Sequence, residues 1–220
     1  YSNHLKTLSD RAEVVAIAEP RDFFRERVAC THNIPPENQF RDWHDLLKRP
    51  KFADAVIIAT QDRMHLEPAI AFAERKYDIL IEKPLAPTLE ECRTLISAEA
   101  NDIIMSVCHV LRYTNFTRTL KKLIDGGRVG QVMSVQHLEP VGYWRFAHSY
   151  VRGNWSREED SSSVLLAKSI HDLDWLRYIV GAAPKQVSSF GSLMFFRKEN
   201  RPEGAADRCL HCKLEPECPY

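Results

Sequence analysis

A lysine follows a short apolar run at a place where a ligand would be expected. Residues 78–86 read DILIEKPLA, so that Lys83 comes directly after a segment typical of a buried strand. Another apolar run lies at 55–59, and a helical pattern joins the two runs. Strand, helix and strand within about thirty residues form a parallel βαβ unit. Ligands of such sheets bind at the carboxyl ends of the strands, so we predict that Lys83 faces a ligand.

Lys83 is of a residue type that can move a proton. A catalytic lysine removes a proton from a reacting group, or donates one in the reverse direction. A lysine with an unperturbed pKa of about 10.4 is a poor base at neutral pH. Partial burial beside a cationic ring would lower that pKa into a useful range. The ammonium can also orient the reacting oxygen by a hydrogen bond.

A second candidate site follows the strand expected at 14–18. Glu19 lies at its carboxyl end, where an acidic side chain can bind the ribose hydroxyls of adenosine and disfavour a 2′-phosphate. Arg21, two residues later, could instead pair with a 2′-phosphate. The sequence therefore favours NAD and leaves NADP open.

The elements that would position these residues alternate between strand and helix. Each of the predicted elements of the first half is short: strands at 14–18, 55–59, 79–81 and 103–107, and helices at 22–30, 43–47, 65–75 and 88–99. Thr88 and Glu91 form a capping box at the last helix. This alternation predicts an α/β fold with a Rossmann-type, doubly wound parallel sheet.

The chain has no Gly-x-Gly-x-x-Gly sequence, although a dinucleotide-binding domain should begin with a strand and such a turn. We therefore expect the first strand and the Gly-rich turn to be missing, and the chain to be a fragment truncated at both ends. The expected dinucleotide-binding domain covers 1–109.

The regular alternation of strand and helix ends in the second half of the sequence, where long polar and aromatic loops separate the predicted elements. Helices are predicted at 114–125, ended by Gly126, and at 169–180, ended by Gly181. Strands are predicted at 132–137 and 186–193. We expect 110–220 to be part of an α+β domain for substrate binding and oligomerisation.

The composition excludes several classes of function. Thirty basic and thirty acidic residues cancel, so nothing favours nucleic acid or a membrane surface as a partner. No apolar run approaches the roughly 18–20 residues that span a bilayer. Cysteine usage does not indicate a disulfide scaffold, so a cytoplasmic location is expected.

Three of the cysteines are clustered near the end of the chain. Cys209, Cys212 and Cys218, with His211 between them, have partial zinc-ligand spacing. His211 directly precedes Cys212 and is poorly placed to reach the same ion. We therefore favour free or locally packed thiols and assign no metal ligand.

Several motifs occur together in a fixed order along the chain. They are AEP at 18–20, Ala59-Thr60 followed by His65, EKP at 82–84, Arg112-Tyr113, and HDLD at 171–174. In this order and spacing the chain resembles the Gfo/Idh/MocA family of NAD(P)-dependent oxidoreductases over nearly its whole length. The resemblance implies an open, mainly antiparallel sheet in the second domain, and a homo-oligomer of the full-length protein.

The resemblance also implies a hydride transfer between the nicotinamide cofactor and a hydroxyl carbon of a carbohydrate or cyclitol. The implied catalytic residues are Lys83 and His171, of which the histidine would lie beside the substrate hydroxyl. The implied cofactor-binding residues are Glu19, Arg21, Thr60, His65, Glu82 and Lys83. The implied substrate-binding residues are Arg112, Tyr113, Lys168 and Asp172.

One position departs from the family pattern. The aspartate that usually stands four residues before the histidine is replaced by Ala167, with Lys168 beside it. Lys168 would then reshape proton transfer or indicate a different substrate. The alternatives to a dehydrogenase are a redox-type glycosidase on the same scaffold and a non-catalytic nucleotide-binding regulator. Asp172 and Asp174 also suit the helix dipole, which is a purely structural role.

Overall fold

The computed structural model describes residues 1–98 and 102–218. The chain divides into two compact units, Tyr1–Cys108 and His109–Tyr220. Among the described residues, none of the helices is both long and apolar enough to cross a membrane.

The first unit alternates short parallel strands with helices. Its strands are β1 (Ile17–Ala18), β2 (Gln39–Phe40), β3 (Ala55–Ile58), β4 (Asp78–Ile81) and β5 (Met105–Val107). Its helices are α1 (Ser2–Lys6), α2 (Asp22–His32), α3 (Trp43–Leu47), α4 (Leu66–Glu74) and α5 (Leu89–Ala98). The order confirms the predicted alternation, and the predicted helix end at Glu99 lies outside the described residues.

The strands form two parallel groups. β1 pairs with β2, and β3, β4 and β5 pair in that order, with Ile57 opposite Leu80 and Ile81 opposite Val107. The Rossmann-type parallel sheet is thus confirmed, although no ladder joins β1–β2 to β3–β4–β5 within the described ranges. β1 is shorter than the predicted 14–18, because only Ile17 and Ala18 find a partner strand.

The core of the first unit lies between the three-stranded sheet and two helices. Ile79 and Ile81 of β4 are buried against Ala69 and Phe72 of α4 and Leu95 of α5. Full burial of such a side chain stabilises the fold by about 1.5–3 kcal/mol. This packing fixes β4 and therefore fixes the turn that follows it.

The predicted capping box at the start of α5 is present. The backbone N–H of Glu91 donates to Thr88 Oγ1 at 3.2 Å, and the backbone N–H of Thr88 donates to Glu91 Oε2 at 3.2 Å. These two bonds satisfy donors that a helix start would otherwise leave without partners. The helix therefore begins where the sequence predicts.

The second unit is built around two longer helices. These are α6 (Asn115–Asp125) and α9 (Ile170–Val180), and the shorter helices are α7 (Tyr143–Phe146) and α8 (Val164–Ala167). Gly181 ends α9 with φ of 74°, a left-handed conformation that glycine adopts without steric cost. Trp175 Nε1 donates to Thr117 Oγ1 at 3.0 Å and joins α9 to α6. Both predicted helices are confirmed.

The two strands predicted in the second unit are wrong. Residues 132–137 and 186–193 form no strand, and side chains such as Met133 (83% exposed) and Phe190 (97% exposed) face solvent. Alternating apolar residues become a strand only when a second backbone supplies a ladder of hydrogen bonds. Within the described part of this unit, neither segment has one.

Candidate functional site

The turn after β4 carries Lys83 at the carboxyl end of the sheet. The N–H of Glu82 donates to the carbonyl of Ile58 at 2.9 Å, which extends the pairing with β3 by one residue. The Glu82 carboxylate then accepts from the N–H of Lys83 at 2.9 Å and from the Tyr1 hydroxyl at 2.6 Å. Glu82 therefore stabilises the backbone of the turn by a hydrogen bond, and the side chain of Lys83 is half-buried.

His65 holds this turn from the inside of the unit. Its side chain is 1% exposed, with Nδ1 lying 2.9 Å from the carbonyl oxygen of Pro84 and Nε2 lying 3.1 Å from that of Thr60. Both ring nitrogens thus face the protein's own backbone. The imidazole links the loop after β3 to the turn that carries Lys83.

Thr60 lies at the exposed edge of the same group. Its hydroxyl donates to the carbonyl of Met64 at 2.9 Å, which closes the short loop after β3. Thr60, His65, Glu82 and Lys83 are therefore brought together at the carboxyl ends of β3 and β4. This is the place where ligands bind to open parallel sheets.

Glu19 and Arg21 form a separate pair at the end of β1. Arg21 donates to the Glu19 carboxylate through Nε at 2.7 Å, through Nη2 at 2.9 Å and through its backbone N–H at 2.9 Å. These hydrogen bonds hold the pKa of Glu19 below its usual value. The Arg21 guanidinium also lies 4.4 Å from the ring centre of Phe24. The sequence left open whether Glu19 would bind a ribose or Arg21 a 2′-phosphate. In this structure the two side chains bind each other.

In the second unit, Arg112 is held by an acid of α9. Its Nε donates to Asp174 Oδ2 at 2.8 Å and its Nη2 donates to Asp174 Oδ1. Its guanidinium also lies 5.1 Å from the ring of Tyr178. Burial lowers the pKa of the neighbouring His109, whose Nδ1 lies 3.8 Å from Asp174. Tyr113, by contrast, is 66% exposed.

A polar group gathers near the start of α9. His137 Nε2 lies 2.8 Å from Asp172 Oδ1, and Lys168 Nζ donates to Glu139 Oε1 at 2.5 Å. Potential metal-ligand atoms of His137, Glu139 and Asp172 all lie within 4.8 Å of one another. However, the Lys168 ammonium already supplies a cation to Glu139. His171 lies in the same first turn, next to Asp172, and is partly buried.

The sequence analysis missed His137 and Glu139. Their spacing was the only available signal, because residues i and i+2 of an extended segment project to the same side. Their partners lie about thirty residues later in the chain, on and just before α9, and no local pattern shows that pairing.

Cys209, Cys212 and Cys218, near the end of the chain, are free thiols. Among the described residues, the one group with the ligand types and distances for a metal ion is that of His137, Glu139 and Asp172, and it includes none of Cys209, Cys212 and Cys218. Backbone hydrogen bonds from nearby residues lower the pKa of the Cys212 thiol.

Comparison with known proteins covers both units. Residues 1–108 match the family described as "Oxidoreductase family, NAD-binding Rossmann fold", and residues 121–215 match its "C-terminal alpha/beta domain". The chain is 31% identical to 2,7-anhydro-N-acetylneuraminate hydratase of Escherichia coli (strain K12), over 84% of this chain and 47% of the relative. It is 28% identical to scyllo-inositol 2-dehydrogenase (NAD(+)) of Bacillus subtilis (strain 168), over 88% of this chain and 54% of the relative.

The structural comparison agrees with the sequence comparison. The complex of levoglucosan dehydrogenase with NADH and levoglucosan superposes with a TM-score of 0.59 at 30% identity, and the match covers 76% of this chain and 44% of that one. The chain spans about half the length of the curated relatives that it matches. Family matches to both units, together with a lysine-bearing turn at the carboxyl end of a parallel sheet, show that the chain belongs to the Gfo/Idh/MocA oxidoreductase family.

Proposed function

We propose that the protein carrying this chain is a dehydrogenase that moves a hydride between NAD and a hydroxyl-bearing carbon of a neutral sugar or cyclitol. The observation that supports this most directly is the Lys83 turn. It lies at the carboxyl end of β4, where Glu82 accepts from the backbone N–H of Lys83 and His65 contacts the carbonyl of Pro84. A turn whose backbone is held presents the lysine from a defined point at this edge of the sheet, and proton transfer requires such positioning of the reacting groups.

Proton movement is the part of the chemistry that these residues supply. When bound, the nicotinamide accepts the hydride. Lys83 removes the hydroxyl proton or hydrogen-bonds the reacting oxygen, and His171 is the second proton-transfer group in our proposal. Arg112 stays bound to Asp174 and shapes the surroundings of α9.

The charges of the second unit favour a substrate without a net charge. Two of its basic side chains are each compensated by an acid: Lys168 by Glu139, and Arg112 by Asp174. A carboxylate on the substrate would have to displace one of these acids from its base, at a cost in binding free energy. Inositols and levoglucosan are uncharged, whereas an anhydro-neuraminate carries a carboxylate. We therefore place this protein's substrate with the uncharged rings.

The cofactor is NAD in this proposal. Glu19 stands at the end of β1, where an acid binds ribose hydroxyls, and its carboxylate keeps Arg21 engaged. A 2′-phosphate would have to draw Arg21 away from Glu19. This supports NAD over NADP, although the same arginine gives the pocket a means of accepting the phosphate.

Formation of NADH tests the proposal. Absorbance at the reduced-nicotinamide band is recorded with NAD⁺ and, in turn, scyllo-inositol, myo-inositol, levoglucosan and 2,7-anhydro-N-acetylneuraminate. We expect turnover with at least one of the three uncharged rings and a lower kcat/KM with the anionic one. A preference for the anionic sugar would contradict the charge argument alone.

A non-catalytic regulator is the second candidate, because Ala167 replaces the aspartate usual in the family. Calorimetric titration with NAD separates the two functions. Cofactor binding without turnover of any of these compounds would favour the regulator, and turnover would exclude it. Glycoside cleavage without net NADH would favour a redox-type glycosidase.

A further inference from the structure

Two cysteines of the second unit are separated by a single turn of 3₁₀ helix. This turn covers Cys209–His211, and the backbone N–H of Cys212 donates to the carbonyl of Cys209 at 3.0 Å. A 3₁₀ turn has about three residues with a rise of about 2.0 Å each, so that positions i and i+3 lie on the same side about 6 Å apart. Disulfide-bonded cysteines usually have Cα atoms about 4.4–6.8 Å apart. Cys209 and Cys212 are therefore spaced for a disulfide that needs little movement of the backbone.

The sulfur of Cys212 lies among hydrogen-bond donors of the backbone. Hydrogen bonds from the backbone of Ala206 and of Leu214 hold the pKa of the Cys212 thiol below its usual value. The positive charge of Arg201 acts in the same direction, and the negative charge of Glu215 opposes it. Cys212 is also partly exposed to solvent. Thiolate character together with access to solvent is the combination that makes a cysteine reactive towards oxidants.

Cys209 is placed as the partner of such a thiol. It is exposed, and Arg152 Nη1 donates to its sulfur at 3.8 Å. A low-pKa cysteine that reacts with oxidants often has a second, resolving cysteine next to it. Cys218 is also exposed, but it comes six residues after Cys212 and lies outside the turn. The pair that the fold brings together is thus Cys209 and Cys212.

We propose that Cys212 and Cys209 form a reversible site of modification by hydrogen peroxide, with Cys212 as the attacking thiol and Cys209 as the resolving thiol. The Cys212 thiolate attacks one oxygen of the peroxide, the O–O bond breaks, and hydroxide leaves and takes up a proton to become water. The sulfur is oxidised by two electrons to a sulfenic acid. The Cys209 thiolate then attacks this sulfur, the S–O bond breaks, and a second water leaves as the S–S bond forms. Two thiols and one peroxide therefore give one disulfide and two waters, and a small dithiol restores the thiols.

The sequence makes this disulfide easy to detect. Arg208 precedes Cys209 and Lys213 follows Cys212, so trypsin releases residues 209–213 as one peptide that holds both cysteines and no other. The full-length protein is reduced, treated with hydrogen peroxide, quenched with catalase, alkylated with iodoacetamide and digested. Mass spectrometry then shows whether the peptide carries two alkyl groups or has instead lost two hydrogens. Incubation with dithiothreitol before alkylation tests reversibility.

Cys209→Ser and Cys212→Ser are compared with the wild type, and Cys218→Ser serves as the matched control, since Cys218 is an exposed cysteine of the same segment. In the wild type we expect the disulfide to form at least about tenfold faster than Cys218 loses its thiol, because the thiolate is the attacking form. Cys209→Ser should form no disulfide in peptide 209–213 and should accumulate a sulfenic acid on Cys212, which dimedone traps. Cys212→Ser should give no such adduct on Cys209, and Cys218→Ser should behave as the wild type does.

Several outcomes would overturn the proposal. One is full alkylation of Cys209 and Cys212 in the wild type after peroxide treatment. Others are a dimedone adduct on Cys209 instead of Cys212, or a disulfide that joins Cys212 to Cys218. Protection from alkylation that requires Zn²⁺ and is lost with EDTA would show that the thiols bind a metal instead. None of these measurements uses NAD or a sugar, so their result does not depend on the proposed dehydrogenase function.

Discussion

Replacing His65 by alanine tests whether this buried imidazole holds the Lys83 turn. The substitution removes a ring whose Nδ1 lies 2.9 Å from the Pro84 carbonyl oxygen and whose Nε2 lies 3.1 Å from that of Thr60, and a neutral imidazole donates a hydrogen bond to one of the two. The Pro84 carbonyl lies in the interior, so leaving it without a partner costs about 1–3 kcal/mol. The Thr60 carbonyl is nearer the surface, where water can replace the lost donor at smaller cost. The cavity left by a ring that is 1% exposed adds to the loss. We expect the free energy of unfolding to fall by about 3–4 kcal/mol.

The measurement is urea denaturation with linear extrapolation, applied to the wild type, His65→Ala, His65→Gln and His4→Ala. His65→Gln keeps one donor and should lose less than His65→Ala. His4 is exposed on α1, so its replacement should change the free energy of unfolding by no more than about 0.5 kcal/mol. A loss below about 1 kcal/mol for His65→Ala would refute the reasoning, because an unpartnered buried carbonyl alone should cost at least that much. It would show that the two carbonyls find other partners.

Three further predictions concern individual residues. Lys83→Ala should lower kcat by about 10²–10⁴-fold and leave NAD binding largely intact, as measured by steady-state kinetics and calorimetric titration; full activity in this variant would remove Lys83 from the mechanism. Glu19→Ala releases Arg21 from its hydrogen bonds and should shift the ratio of kcat/KM for NAD and NADP towards NADP by about tenfold or more, or about 1.4 kcal/mol; an unchanged ratio would mean that neither residue contacts the ribose. His109 has a pKa that burial lowers, so the unfolded state binds its proton more readily, and stability should fall as pH drops below the ordinary histidine value of about 6.5. His109→Gln should reduce this slope between pH 5 and 7 in denaturation experiments, and an equal slope in both proteins would assign it to another group.

The Lys83 site was predictable from the sequence because its determinants are local. Apolar runs at β3 and β4 with a helical segment between them predicted a parallel unit, and chain direction then placed Lys83 at the carboxyl edge. Thr88 with Glu91 and Gly181 likewise predicted helix ends through contacts spanning a few residues. Such features are determined by backbone geometry and by neighbours along the chain.

The tertiary structure decided the partners of the polar side chains. His65 stays a predicted cofactor-binding residue, and the fold alone shows that both of its ring nitrogens lie against backbone carbonyls. Glu19 and Arg21 were alternatives in the sequence and became a bound pair in the structure. The pairing of His137 with Asp172 joins residues far apart in the chain, and no local pattern encodes it.

The strands expected in the second unit show that backbone hydrogen bonding also depends on partners distant in the sequence. The alternation at 132–137 and 186–193 satisfies the side-chain pattern of a strand, yet neither segment forms a ladder within the described residues. Local sequence determines which segments are able to become strands and which side chains are able to do chemistry. Hydrogen-bond partners that are distant in the sequence determine which segments become strands and which side chains form a site. A strand ladder or a buried polar contact exists only when both of its partners are brought together.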